Sequence, residues 1–345
     1  MNDMNTDVKQ VKIGVVGAGS WGTALANHLA EKGFAVDLWV YEPHVRDQIL
    51  QDRENRVFLP GITLSKNILP SNDFQPVVQN KDILLVVVPS HLMRATMKKL
   101  VGIISEKTIL VTASKGIENK THLTMTGVLK EVFTDKPEEQ FVVLSGPSFA
   151  REVARGVPTV VTVAAASQKI AEYVQHVFAA PTFRVYTLDD IIGVELGGAV
   201  KNVIAIASGI VDGLGLGLNT RAALITRGLT EMRRLGLQLG AKPETFSGLA
   251  GVGDLILTCT GDLSRNHTVG QQIGQGKKLQ EILDEMQMVA EGVKTAKSVY
   301  NLSCKLDVEM PIAHEVYRVL YEDRSPKDAV YSLMTRSLKN EFHDV

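Results

Sequence analysis

Gly14-Val15-Val16-Gly17-Ala18-Gly19-Ser20-Trp21-Gly22-Thr23-Ala24-Leu25-Ala26 decides how the rest of the chain is read. The apolar run Ile13 to Val16 reads as a buried strand. Gly17, Gly19 and Gly22 then fit G-x-G-x-x-G, and a helical pattern begins at once. In a dinucleotide-binding turn each glycine has a task. The first permits the tight turn, the second lets backbone approach a pyrophosphate, and the third lets the helix lie close to the strand. The helix N-terminus adds unpaired N–H groups and the positive end of a dipole. Glycine-rich turns are common, so a plain strand-turn-helix is the competing reading. The strand before the motif and the helix after it favour dinucleotide binding.

Working outward, Lys12 to Val16 is the first strand, Trp21 to Glu31 the first helix, and Ala35 to Val40 the second strand. Glu42 lies near that strand's end, twenty residues after Gly22. A dinucleotide fold places an acid there to bond the ribose hydroxyls. Arg46 could instead face a 2′-phosphate, and both could equally be solvated loop charges. Pro43 to Asp52 reads as helix and Asn55 to Pro70 as irregular. Ile83 to Val88 is a strand apolar enough to be covered on both faces. It ends at Pro89-Ser90, at the carboxyl edge where open α/β sheets bind ligands. Strands over Thr108 to Thr112, Phe141 to Leu144, Thr159 to Ala164 and Phe183 to Tyr186 follow. Helices fall between them, which implies a doubly wound sheet.

From Leu188 onwards no strand pattern appears. Asp190 to Val211 reads as one long, apolar helix rich in small residues, which must be buried at close range to its neighbours. Asn219 to Leu239 is amphipathic, and shorter helices follow at Leu279 to Met286, Glu291 to Lys305, Pro311 to Tyr321 and Pro326 to Arg336. The expected fold is therefore α/β: a Rossmann-type doubly wound sheet over residues 1–188, then an all-helical domain over 189–345.

The chain has 345 residues, enough for two domains with full cores. Its net charge of −1 gives no general pull towards nucleic acid, so any anion site must be local. Two cysteines, Cys259 and Cys304, are too few for a disulfide framework and fit a reduced compartment. The N-terminal residues lack the basic-then-apolar order of a signal peptide. No apolar stretch reaches the ~18 residues of a membrane span. A cytoplasmic location is the expectation. The eight histidines show no close metal spacing. His28 and His176 fall in helical stretches and read as structural. Cys259 reads as a buried thiol.

Three places could carry chemistry. Lys201-Asn202 lies inside the long apolar helix, with no charge in the five residues before it or the nine after it. A lysine buried there loses hydration, and its pKa falls towards the working range of a general acid or base. The alternative is a lysine that snorkels its ammonium to the surface. Gly251-Val252-Gly253-Asp254-Leu255 puts one carboxylate between a glycine turn and an apolar run. Asp254 could polarise an amine, bond a substrate hydroxyl, or simply cap a helix. Ser264-Arg265-Asn266 offers a hydroxyl, a guanidinium and an amide at a helix start, which suits an anion; Ser264 could instead be a cap with Arg265 exposed. His267 adjoins that turn.

Nine segments in order resemble the bacterial type of NAD(P)-dependent glycerol-3-phosphate dehydrogenase. They are Gly17 to Ala24, Val88-Pro89-Ser90, Ser114 to Glu118, Ser145 to Ala150, Val200 to Val203, Thr226 to Leu229, Gly251 to Leu255, Ser264 to Asn266, and Ala290-Glu291-Gly292. The resemblance implies that Lys201 is the general acid/base at the C2 oxygen, with Asp254 and Lys115 as its polar partners. It implies substrate contacts at Gly146, Ser148, Thr258, Ser264, Arg265 and Asn266. It implies cofactor contacts at Gly17, Gly19, Ser20, Trp21, Gly22, Tyr41, Glu42, Lys115, Ala150, Arg265, Val289 and Glu291. Tyr41 stands where relatives often carry a basic or imidazole side chain and brings no positive charge, which counts against a preference for NADP; NAD and NADP both stay open. The implied reaction reduces dihydroxyacetone phosphate to sn-glycerol 3-phosphate, for glycerophospholipid synthesis. The implied partner is a small phosphorylated molecule, with neither nucleic acid nor a membrane segment involved. A homodimer is a family expectation. Two rivals are a dehydrogenase of a 3-hydroxy acid or ketopantoate-like substrate, and a protein that senses NAD(P)H without turnover.

Overall fold

The computed structural model describes residues 11–286 and 290–341. The chain divides into two compact units. Among the described residues, the first holds 11–114 and 125–191; the second holds 115–124, 192–286 and 290–341. The excursion over Lys115 to Thr124 therefore counts with the helical unit, where a single cut at 188/189 was expected.

The first unit is one eight-stranded sheet with helices. Its strands are β1 (Ile13–Val16), β2 (Val36–Trp39), β3 (Ile68–Ser71), β4 (Ile83–Val86), β5 (Ile109–Thr112), β6 (Phe141–Ser145), β7 (Thr159–Ala165) and β8 (Phe183–Leu188). They lie in the order β3-β2-β1-β4-β5-β6-β7-β8. β1 sits between β2 and β4, with Ile13 opposite Val36 on one side and Ile83 on the other. Strand order reverses at β1 and β4, and the crevice outside such a switch point is where open α/β sheets take ligands. β6 and β7 are antiparallel, while β7 and β8 are parallel. The last two strands thus run against the first six. Hydrophobic pattern announces a buried strand but not its direction.

The helices of this unit are α1 (Ser20–Glu31), α2 (Pro43–Asp52), α3 (Phe74–Val78), α4 (Met93–Lys98), α5 (Met125–Val132), α6 (Ala150–Ala154) and α7 (Gln168–Phe178). β3 falls inside the stretch expected to be irregular. It is a four-residue edge strand carrying Pro70, and proline is tolerated only at such an edge. α3 carries Pro76 and α5 carries Gly127, which hid their helical pattern. The main core lies on one face of the sheet, where Ile13, Val15, Leu38, Ile83, Val142 and Val163 of the strands meet Leu25 of α1 and Phe178 of α7. Each is almost fully withdrawn from water, and burying such a side chain contributes about 1.5–3 kcal/mol.

The second unit is helical. It runs α8 (Ile191–Gly213), α9 (Gly217–Gln238), α10 (Pro243–Phe246), a π turn over Leu249–Gly253, α11 (Asp254–Thr260), α12 (Arg265–Gly274), α13 (Leu279–Glu285), α14 (Glu291–Leu306), α15 (Pro311–Tyr321) and α16 (Pro326–Met334). By length and composition alone, α8 could cross a membrane, contrary to the expectation that no segment is long and apolar enough. Its most apolar window is 89% buried inside the protein, as in the central helix of a packed bundle. Leu196, Val200, Val203, Ile204 and Ile206 of α8 join Met232, Leu255, Val269, Ala296 and Val316 in one core. Ile117 of the 115–124 excursion belongs to the same core.

Candidate active site

The glycine motif builds a cradle at the end of β1. Gly17 has φ +116°, and a Cβ there would stand 2.4 Å from the Val87 carbonyl oxygen. A Cβ at Gly22 would stand 1.9 Å from the Gly17 carbonyl oxygen, so only glycine lets α1 lie this close to the turn. Gly19 is different: nothing lies within 4 Å of where its Cβ would be. The open space faces the N-terminus of α1, which has no side-chain cap and no acid in its first turn. These features fit a dinucleotide pyrophosphate, which needs backbone access and N–H donors. The Ser20 hydroxyl donates to the Phe58 carbonyl at 2.6 Å. Trp21 is half-buried, and Ala150, which opens α6, packs at the edge of the core of this unit.

The second cluster is assembled from three parts of the helical unit. Lys201 lies midway along α8 and is buried. Its ammonium donates to Asp254 Oδ1 at 2.5 Å and Thr258 Oγ1 at 2.6 Å. The ammonium therefore does not snorkel to the surface. Asp254 is also buried, and its second oxygen accepts from Lys115 Nζ at 2.7 Å. It is the first residue of α11, whose cap is Gly253, so its carboxylate serves the two lysines and not the helix end. Thr258 follows one turn later and also donates to the Asp254 carbonyl oxygen at 2.6 Å.

Local sequence explains the placement. A Cβ at Gly197 would stand 2.3 Å from the Ala250 carbonyl oxygen, so α8 and the π turn touch backbone to backbone. The π turn closes with the Gly253 N–H on the Gly248 carbonyl, 3.2 Å away and five residues back. Such turns recur at functional sites; this one aims Asp254 at α8. Lys115 is held through its loop, where Ser298 Oγ of α14 donates to the Ile117 carbonyl at 2.9 Å.

Burial lowers the Lys201 pKa to about 7, against the pull of the Asp254 carboxylate, which favours the charged form; Lys115 lowers it further. A lysine at this value exchanges a proton readily at neutral pH. Cys259, on the next turn of α11, is pushed up to about 12 by burial and stays an inert thiol.

The third cluster is the start of α12. Ser264 Oγ accepts the His267 N–H at 3.3 Å, so Ser264 caps the helix and keeps its own proton to donate. Asn266 Oδ1 accepts the Gly292 N–H at 2.9 Å, which fixes its amide orientation and leaves Nδ2 as a donor. Arg265 is exposed as a whole. Protein packed around it lowers the guanidinium pKa and the Glu291 carboxylate opposes this; the group stays charged. A hydroxyl, a guanidinium and an amide thus meet the positive end of a ten-residue helix. A Cβ at Gly292 would touch both the Asn202 carbonyl oxygen, at 2.6 Å, and Asn266 Oδ1, at 2.7 Å. That contact ties the start of α12 to α8 one residue beyond Lys201.

The remaining expected residues are placed as follows. Gly146 follows β6 with φ +141°, and Ser148 Oγ donates to its carbonyl at 3.0 Å. Tyr41 is 72% exposed, with its ring 6.0 Å from that of Trp39. Glu42 is the N-cap of α2 without a side-chain cap bond. Arg46 is turned onto Asp47 at 2.5 Å, a half-exposed pair that a competing anion can replace. Val289 lies outside the described residues. His28 bonds the Phe178 carbonyl oxygen and His176 that of Glu172, so both are structural. Among the described residues no cluster of His, Cys, Asp or Glu could hold a metal. Asp212, which the sequence did not single out, accepts from His267 and Arg221.

Comparison with known proteins bears on these clusters. Residues 12–171 match the family described as NAD-dependent glycerol-3-phosphate dehydrogenase N-terminus, and 190–331 match its C-terminus. A glycerol-3-phosphate dehydrogenase [NAD(P)+] of Syntrophobacter fumaroxidans is 55% identical over 96% of this chain and 97% of its own length. One from Geobacter sulfurreducens is 56% identical over 96% and 98%. The crystal structure of glycerol-3-phosphate dehydrogenase from Coxiella burnetii superposes with a TM-score of 0.90 at 40% identity, covering 94% of this chain and 98% of that one. With both halves matched and the relatives covered almost end to end, the chain belongs to the NAD(P)-dependent glycerol-3-phosphate dehydrogenase family of oxidoreductases.

Proposed function

We propose that this chain reduces dihydroxyacetone phosphate at C2 to give sn-glycerol 3-phosphate, reversibly, with Lys201 as the proton donor. The observation that carries the reading is a buried lysine with a pKa near 7, held by a carboxylate and a hydroxyl. NAD(P)H, when bound, supplies the hydride. As the C2 oxygen gains negative charge, the Lys201 ammonium donates a proton to it and stabilises what charge remains. Asp254 keeps that ammonium charged and aimed, and Lys115 shares the same carboxylate. In the reverse direction neutral Lys201 accepts the hydroxyl proton. Ser264, Arg265 and Asn266 hold the phosphate, Thr258 lines the site, and Gly146 and Ser148 are further proposed contacts.

Gly17, Gly19, Gly22 and the first turn of α1 hold the cofactor pyrophosphate. Ser20, whose hydroxyl is engaged on Phe58, contributes its backbone. Tyr41, Glu42, Lys115, Ala150, Arg265, Val289 and Glu291 complete the proposed cofactor set. Residues 1–188 form the proposed cofactor domain and 189–345 the catalytic domain, to which the excursion over Lys115 to Thr124 lends its lysine. A cytoplasmic homodimer that feeds glycerophospholipid synthesis completes the reading.

The test is an initial-rate assay of cofactor oxidation with dihydroxyacetone phosphate, run separately with NADH and NADPH. Turnover with at least one cofactor, and far slower turnover of unphosphorylated dihydroxyacetone, is expected. Equal rates on the two ketones would defeat the phosphate assignment. No turnover despite cofactor binding would defeat the whole reading.

A further inference from the structure

Lys201 stands on α8, while Arg265 and Asn266 open α12 with Ser264 as its cap. Any molecule held by both helices is measured against the way α12 lies on α8. The two helices meet backbone to backbone. Gly209 and Gly213 on α8, and Gly270 and Gly274 on α12, are each one helical turn apart. A Cβ at Gly209 would stand 2.0 Å from the His267 carbonyl oxygen, and one at Gly213 2.2 Å from that of Gln271. A Cβ at Gly270 would stand 2.0 Å from the Ile206 carbonyl oxygen, and one at Gly274 2.6 Å from that of Ile210. The contacts advance together along both helices, so the pair runs parallel. No layer of long side chains lies between them at these points to absorb a slide.

The register has a latch at the end of α8. Asp212, the penultimate residue of that helix, accepts from His267 Nε2 at 2.8 Å and from Arg221 Nη1 at 2.9 Å, both on Oδ2. His267 is the third residue of α12, and its own N–H is the one Ser264 caps. Asp212 therefore acts on the same turn that presents Ser264, Arg265 and Asn266, while being bonded to none of these three. The glycines set how closely the helices approach, and Asp212 sets where along α8 the turn is held.

We propose that Asp212 is a positioning residue. Through His267 it fixes the distance between the Lys201 ammonium and the anion-binding turn, and so the length of phosphorylated ketone the site accepts. The proposal rests on the reading of Ser264 to Asn266 as the phosphate turn. It assigns Asp212 no contact with substrate or cofactor.

The experiment compares kcat/KM for dihydroxyacetone phosphate and for dihydroxyacetone in Asp212→Ala, Asp212→Asn and His267→Leu, with NADH affinity measured alongside. Asp212→Ala should lower kcat/KM on the phosphorylated ketone by about 10–100-fold, the scale of a displaced binding group. Its kcat/KM on dihydroxyacetone and its NADH affinity should not change. Asp212→Asn, which keeps an acceptor for His267, should recover most of the loss. Should Asp212→Ala fail to fold, His267→Leu removes the donor while filling its space and should show the same split. Equal losses on both ketones, or no loss on either, would overturn the proposal. Arg265→Ala separates the two readings. If it too fails to discriminate the ketones, the phosphate turn itself is misassigned; if it discriminates and Asp212→Ala does not, only the latch is wrong.

Discussion

Asp254→Asn tests the electrostatics of the Lys201 cluster. In the native site, burial and the Lys115 ammonium push Lys201 down while the Asp254 carboxylate pulls it up, and the balance lies at about 7. An opposite charge at hydrogen-bond distance is worth about 1–3 pK units. Asparagine keeps an acceptor at the same place but removes the charge, so Lys201 should fall to about 4–6. The sign follows from the proton's role. Ketone reduction needs the ammonium, so log kcat/KM is flat below the Lys201 pKa and falls one unit per pH unit above it. At about pH 8 the native enzyme retains roughly a tenth of its low-pH plateau, and a variant with its break near 5 retains roughly a thousandth of its own. The assay is the pH dependence of kcat/KM for dihydroxyacetone phosphate under saturating cofactor. The substrate's own second phosphate ionisation, near 6, is common to both enzymes and does not move. A break that stays at about 7 in Asp254→Asn, or moves upward, would refute the reasoning that the carboxylate sustains the Lys201 charge.

Other consequences follow from single contacts. Gly22→Ala puts a Cβ against the Gly17 carbonyl oxygen, which should abolish NADH binding while Ile13 to Val16 stay folded; titration of cofactor fluorescence reads this directly. Glu231 accepts the N–H groups of Ile312 and Ala313 at the start of α15, at 2.7 and 3.1 Å. Glu231→Ala leaves these buried donors unpaired and should cost about 1–3 kcal/mol for each, seen as a lower Tm with native kcat in the folded fraction. Tyr41→Arg adds a guanidinium at the end of β2 and should raise kcat/KM with NADPH relative to NADH by about 10-fold, as expected for one charge-assisted phosphate contact.

The parts of the fold that sequence revealed are those with local causes. The turn at Gly17 to Gly22 is legible because steric need dictates the glycine spacing. α8 is legible because a long apolar run, rich in small residues and carrying few charges, must bury itself as a close-packed helix. β3 was hidden by Pro70 and by exposure on one edge, where Leu69 is 54% exposed and no alternation develops. The site is legible in pieces: the isolation of Lys201 pointed to chemistry, and the helix start at Ser264 pointed to an anion. Their assembly was not legible. Lys115 and Asp254 are 139 residues apart, and no spacing rule joins them. Asp212 carried no signal, since a carboxylate at a helix end is ordinary until His267 is seen bonded to it.

The most direct test of the central claim is Lys201→Ala, with kcat for dihydroxyacetone phosphate and the Kd for NADH measured on the same preparation. A kcat lower by about 10²–10⁴-fold, with NADH bound as tightly as by the native enzyme, is the predicted result for loss of a general acid. Turnover at the native rate would contradict Lys201 as the proton donor.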